Sequence, residues 1–121
     1  MINNVTLVGR LTRDPELRKA GDAPVCSFTL AVDRDFLNGE GERETDFIPI
    51  VTWRKLAETC ANNLKKGRLV GVTGRIQVRQ WEQEGKKRRK MEVVADNVRF
   101  LDSGKKDEGQ LIALFIMDRL W

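Results

Sequence analysis

Residues 77–90 read QVRQWEQEGKKRRK, with Trp81 two places after Arg79 and five cations following Gly85. A tryptophan brings about 200 Å2 of surface to bury, yet its neighbours here are strongly hydrated side chains. Strand spacing offers an explanation. If 75–81 is a strand, Arg75, Gln77, Arg79 and Trp81 share one face, and Ile76 and Val78 share the other. With the aliphatic face turned to a core, Trp81 points outward beside Arg79. Segment 47–53 places Phe47, Val51 and Trp53 on one face and Ile48, Ile50 and Thr52 on the opposite one. Both of those faces carry apolar residues, so both must meet something: a core on one side, a subunit interface or a ligand on the other.

Exposed rings flanked by cations suit single-stranded nucleic acid. Every base has a flat π-face, and stacking on an aromatic side chain is worth about 1–3 kcal/mol per base. Phosphates between the bases need positive charge, supplied by Lys and Arg with release of counterions. The candidate rings are Phe36, Phe47, Trp53 and Trp81. The candidate cations are Arg34, Lys55, Lys66, Arg75, Arg79 and the run Lys86, Lys87, Arg88, Arg89, Lys90. No basic recognition helix for duplex DNA is apparent. Each residue taken singly has a plainer reading: a ring can be core, a basic hairpin tip can be a solvated turn, and Trp81 with Arg79 can be a surface cation–π pair.

The 121 residues, 40% hydrophobic and 33% charged, fit one domain with a core of its own. A net charge of +4 permits polyanion binding without establishing it. With no histidine and two distant cysteines, Cys26 and Cys60, no metal site is expected; both thiols read as small buried apolar groups in a reducing compartment. The chain shows no charged-then-apolar leader, and its longest apolar run, 111–117, is far too short to span a bilayer. A soluble, cytoplasmic protein with no membrane partner is expected. Catalysis is not: the chain lacks a Walker loop and a nucleophile elbow, and GVTGR at 71–75 has neither the helix nor the Lys-Ser/Thr of a phosphate loop. Neither catalytic residues nor cofactors are assigned.

These residues must be held by a framework. NNVTLVGRL (3–11) reads as a strand with a bend or bulge at Gly9; 12–24, with Pro15, Gly21 and Pro24, reads as a loop. VCSFTLAVDRDF (25–36) alternates as a half-buried strand does, with Cys26, Phe28, Leu30 and Val32 on one face and Ser27, Thr29, Ala31 and Asp33 on the other. TDFIPIVTW (45–53) is a strand in which Pro49 implies an edge or bulge. RKLAETCANNLKKG (54–67) switches to helical spacing and stops at Gly67. Two long strands, 68–81 and 90–101, are joined by a hairpin with Gly85 at its tip. Three strands, a helix and two strands suggest an all-β, five-stranded Greek-key barrel of the oligonucleotide-binding (OB) type, with the helix between strands 3 and 4 and a long hairpin between strands 4 and 5. Another small α+β sheet is the competing architecture.

The stretches NNVTLVGRLTRDPELR, FTLAVDRDF, TDFIPIVTWRKLAE, LKKGRLVGVTGRIQVRQW and EVVADNVRFL resemble, in order and spacing, the bacterial single-stranded DNA-binding proteins over nearly residues 1–102. The resemblance implies an OB-fold protomer, usually a homotetramer, that wraps single-stranded DNA without strong sequence preference. It places base-stacking roles on Phe36, Phe47, Trp53 and Trp81, and backbone contacts on Lys55, Lys66 and Arg79. Pro49 stands where some members carry an arginine. The first strand matches the family's dimer-forming strand, which gives Val8 and its neighbours an interface role. The tail departs from the pattern: residues 103–121 lack the usual Gly/Pro/Gln linker and acidic tip, so recruitment of replication and repair partners is not carried over. A terminal helix or strand docked on the barrel or on another subunit is one expectation for this apolar tail, and a truncation is the other.

The expected function is non-catalytic binding of single-stranded DNA that protects it during replication, recombination and repair, in the cytoplasm and on the nucleoid. A single-stranded RNA-binding OB protein and an oligomeric scaffold of a replication or recombination complex are the alternatives.

Overall fold

Alternating apolar residues turn the chain into a sheet that closes on itself. The computed structural model describes residues 1–101, and the expectations for the tail at 103–121 fall outside them. In chain order the elements are β1 (Val5–Leu11), β2 (Glu16–Ala20), β3 (Ala23–Leu37), β4 (Arg43–Trp53), α1 (Arg54–Asn63), β5 (Leu69–Gln83) and β6 (Lys86–Phe100). The sheet runs β1-β5-β6-β4-β3-β2, and β1 also pairs with β3. Five strands therefore form the closed ring, as expected for the OB-type barrel, and β2 lies outside it along β3. All neighbours are antiparallel except β4 and β6, which run parallel through Ile50–Val93 and Val51–Val94.

Segment 12–24, expected to be a loop, contains β2, so the helix follows the fourth strand and not the third. ELRKA has no apolar period to betray it, because every residue of this short strand is exposed. The helix ends at Asn63 with Leu64 extended, which leaves Lys65, Lys66 and Gly67 beyond it. Gly67, at φ 85°, instead turns the chain so that its N–H reaches the Leu11 carbonyl at 2.8 Å. Gly9 is not a bulge. A side chain there would collide with the Ala31 carbonyl, so glycine permits the close crossing of β1 over β3 that closes the ring. Pro49 stays in register opposite Thr29, just before the stretch where β4 is flanked on both sides.

The barrel interior is filled by Leu11, Phe28, Leu30, Ile50, Val70, Val72 and Val93, and α1 plugs one end with Ala57 and Cys60. Burying each large aliphatic side chain contributes roughly 1.5–3 kcal/mol. Cys26 and Cys60 are free and fully buried. Burial pushes the Cys60 thiol up to about 12, with the Cys26 thiol adding to the effect, and burial also raises Cys26. Both remain protonated core residues at neutral pH.

The β5–β6 hairpin outruns the core. Ile76 and Val78 continue the row of Val70 and Val72, but with Met91 they are exposed. The condition that this aliphatic face turns to a core is therefore not met within the chain at Ile76 and Val78: the barrel ends near the irregularity in register at Thr73 and Gly74. No helix among the described residues is long and apolar enough to cross a membrane.

Candidate nucleic-acid interface

The outer face of the barrel is set by register. In β4 the core takes Ile48, Ile50 and Thr52, which leaves Phe47, Pro49, Val51 and Trp53 on the outer side. Their partners on β3 are Ala31, Thr29, Ser27 and Val25. Val51 pairs with Val94 of β6, and Val94 with Arg75 of β5, so Arg75, Gln77, Arg79 and Trp81 lie on the same face. Phe47 and Trp53 are separated by six residues of strand, about 20 Å. Immediately after Trp53, Arg54 adopts φ 59°, an uncommon state for a residue with a side chain, and turns the chain into α1.

The four candidate rings are all open to solvent, at 74% for Phe36, 66% for Phe47 and 41% each for Trp53 and Trp81. Phe28, by contrast, is core. Phe36 lies within the irregularity of the β3–β4 register between Asp33 and Leu37, so alternation does not carry it onto the Phe47 row.

The candidate cations divide into groups. Arg79 carries its guanidinium 5.7 Å from the centre of the Trp81 ring and pairs through Nε with Glu92 Oε1 at 2.8 Å. The basic run is strand and not loop, because the hairpin turns on two residues, Glu84 at φ 54° and Gly85 at φ 77°. Two positive φ values in succession match the strand twist. The register then sorts the run: Lys86, Arg88 and Lys90 lie opposite Gln83, Trp81 and Arg79 on the ring-bearing face, whereas Lys87 pairs with Glu82 on the reverse. Arg34 faces the other way in effect, since Asp46 accepts from its Nε and Nη2 at 3.1 and 3.0 Å, and Glu44 from its Nη1 at 2.6 Å. These carboxylates raise the Arg34 pKa and offset its charge. Lys55 sits in the first turn of α1 and Lys66 beyond its end, where the Lys66 backbone N–H donates to Asp14 at 2.8 Å; both side chains are solvent-facing.

Two hollows flank Val51. One, of about 260 Å3, lies between Arg13, Ser27, Thr29, Pro49 and Lys90. The other, of about 360 Å3, is lined by Arg18, Lys19, Val51, Trp53, Gln77, Arg79 and Glu92. Arg13, Arg18, Lys19 and Glu92 were not singled out from the sequence. The first three sit in or beside β2, which has no apolar pattern. Glu92 reads as an ordinary polar residue until its register opposite Gln77 is known.

The arrangement is a sheet face with flat rings at separated points, cations along one side and shallow hollows between them. A family model described as the single-strand binding protein family matches residues 2–101. A single-stranded DNA-binding protein of Caldanaerobacter subterraneus subsp. tengcongensis is 62% identical over 84% of this chain and 69% of its own length. One from Streptococcus mutans is 57% identical over 91% of this chain and 68% of its own, and single-stranded DNA-binding protein 3 of Listeria innocua is 56% identical over 90% and 69%.

Proposed function

The chain belongs to the single-strand binding protein family, and from this we propose that it binds single-stranded DNA without strong sequence preference and protects it during replication, recombination and repair. It is a binding protein and not an enzyme. Residues 1–102 are the binding domain. Bases stack on Phe36, Phe47, Trp53 and Trp81, with Arg79 beside the Trp81 ring; phosphates are held by Arg75, Lys86, Arg88 and Lys90, with Lys55 and Lys66 near the helix. The observation that carries this reading is the exposure of all four rings on a barrel whose interior is filled by other side chains.

The protomer is incomplete alone. β1 pairs with β5 along Val5–Arg10 but with β3 only at Arg10 and Leu11, so the other edge of Val5, Thr6, Leu7 and Val8 faces no strand among the described residues. Beside it, Asn3 holds the Ile76 backbone through both amide atoms, at 2.8 and 2.9 Å, and Ile2, Ile76, Val78 and Met91 are exposed together with it. An open strand edge and an apolar face suit a second copy of the chain. The assembly we propose is a homotetramer, acting in the cytoplasm on the nucleoid.

Titration with oligo-dT at low salt tests the binding: tryptophan fluorescence is expected to quench, and native mass spectrometry to report four chains per complex. Unchanged fluorescence and mobility at saturating oligo-dT would refute it, and preference for a matched RNA would redirect it to RNA.

A further inference from the structure

One carboxylate is misplaced for a surface that only attracts phosphate. Glu92 is 3% exposed, sits on the ring-bearing face and lines the hollow beside Trp53. Arg79 does not need it, because that side chain is 46% exposed and can be hydrated. Glu92, by contrast, is desolvated and needs a partner. Its effect on Arg79 is to cancel a charge that a backbone-only groove would keep. What the pair presents instead is an acceptor beside a donor, with the Gln77 amide across the strand from Glu92. The hollow's volume of about 360 Å3 lies near the lower end of small-molecule sites, roughly 300–1,000 Å3. Trp53 gives it an aromatic wall, Val51 an apolar one, and Arg18 a cation at its margin.

We propose that this hollow is a subsite that admits one nucleobase and reads its edge, with guanine favoured. The inference rests on the single-stranded DNA reading and adds a point of selectivity to it. Trp53 stacks the base, Glu92 accepts hydrogen bonds from it, and Arg79 donates to it. An ionised carboxylate only accepts, and its two oxygens together have about four lone-pair sites, so the Arg79 contact does not exhaust it. Guanine brings two adjacent N–H donors, at N1 and the exocyclic amine, next to the O6 acceptor that an arginine matches. Cytosine and adenine bring an amine next to a ring nitrogen whose lone pair opposes a carboxylate. Thymine brings one N–H between two carbonyls. The order of groups in the hollow thus fits guanine best and thymine least.

The test uses the full chain and an oligo-dT of about ten nucleotides carrying one guanine moved along its length. Guanine at one interior position is expected to tighten binding by roughly five- to tenfold over thymine. Inosine, which lacks the exocyclic amine, is expected to recover less than guanine. Glu92→Gln should abolish the preference while still binding plain oligo-dT. Gln77→Ala, a change at a half-buried surface position, should reduce it and serves as a second variant should Glu92→Gln disturb the fold. Equal affinity at every guanine position, equal affinity for guanine and inosine, or a preference that survives Glu92→Gln would overturn the subsite and leave general binding standing. Failure to bind plain oligo-dT would overturn both.

Discussion

The two long hairpins carry opposite charge. Between Asp33 and Asp46 lie six carboxylates and two arginines, and between Arg79 and Lys90 lie six cations and two carboxylates. Both hairpins nonetheless present exposed rings, Phe36 and Phe47 on the first and Trp81 on the second. On the acidic hairpin Arg34 is clamped by Glu44 and Asp46, so no net attraction for phosphate remains around it. On the basic hairpin Lys86, Arg88 and Lys90 share the face of Trp81. In the proposed reading both hairpins offer rings for stacking, whereas phosphate attraction falls on the basic hairpin alone. If DNA binds as proposed, bases would rest on both hairpins while the backbone is drawn toward β5 and β6 and repelled from the tip of β3 and β4.

The largest effect is expected where phosphates are held. Replacing Lys86, Arg88 and Lys90 together by alanine removes three cations from one face. The dependence of log K on log salt for oligo-dT should then become shallower by about 2, at roughly 0.7 per contact on a single strand. Neutralising Glu40 and Glu42 on the other hairpin should leave affinity unchanged or slightly raised. Equal losses from both changes would break the asymmetry.

Ring removal should ignore charge. Trp53→Ala and Trp81→Ala are each expected to cost about 1–3 kcal/mol of oligo-dT affinity, read by fluorescence anisotropy at fixed salt. Phe47→Ala, beside the acidic hairpin, should fall in the same range with an unchanged salt slope. A loss at Trp81 that fades at high salt while the loss at Phe47 persists would show that the Trp81 ring acts through Arg79 and not through a base.

What the sequence made legible was parity. Alternation set Cys26, Phe28 and Leu30 on one face of their strand and separated Trp53 from Ile50 and Trp81 from Ile76, because a period of two assigns faces within one strand. It could not say what covers a face. Ile76 and Val78 continue a core row past the end of the barrel, and only the hairpin's length relative to its neighbours reveals it. β2 escaped notice for a related reason: ELRKA adds an edge and buries no side chain, so Arg18 arrives at the Trp53 hollow unannounced. The run Lys86–Lys90 passed for a loop because Glu-Gly is not the usual pair for a two-residue hairpin turn. Once the turn is known, the run is a strand and Lys87 moves to the far face. Arg34 was counted as a phosphate contact since its acids lie ten and twelve residues away in sequence and meet it only through the β3–β4 register.

Single cations give a finer contrast. Arg88→Ala should flatten the salt slope by roughly 0.7, whereas Lys87→Ala, opposite Glu82 on the reverse face, should change it much less. Equal slopes would mean that DNA wraps both faces of the hairpin.

The smallest effect on binding is expected at Arg34, and it separates a structural cation from a binding one. Hydrogen bonds from Arg34, aided by its charge and opposed by partial desolvation, hold the Asp46 carboxyl below its usual range. Folded Asp46 thus binds a proton less readily than unfolded Asp46. The stabilisation it supplies is complete above the ordinary aspartate value of about 3.9 and is lost as pH falls through the lower folded one. Because the pair is exposed, the consequence is local ordering of the hairpin and not global stability. Arg34→Ala should move the Asp46 carboxyl titration upward by NMR while oligo-dT affinity at neutral pH stays within about twofold. A loss as large as that of Arg88→Ala would mean that Arg34 leaves its carboxylates for a phosphate when DNA arrives, and the acidic hairpin would then be a latch that single-stranded DNA opens.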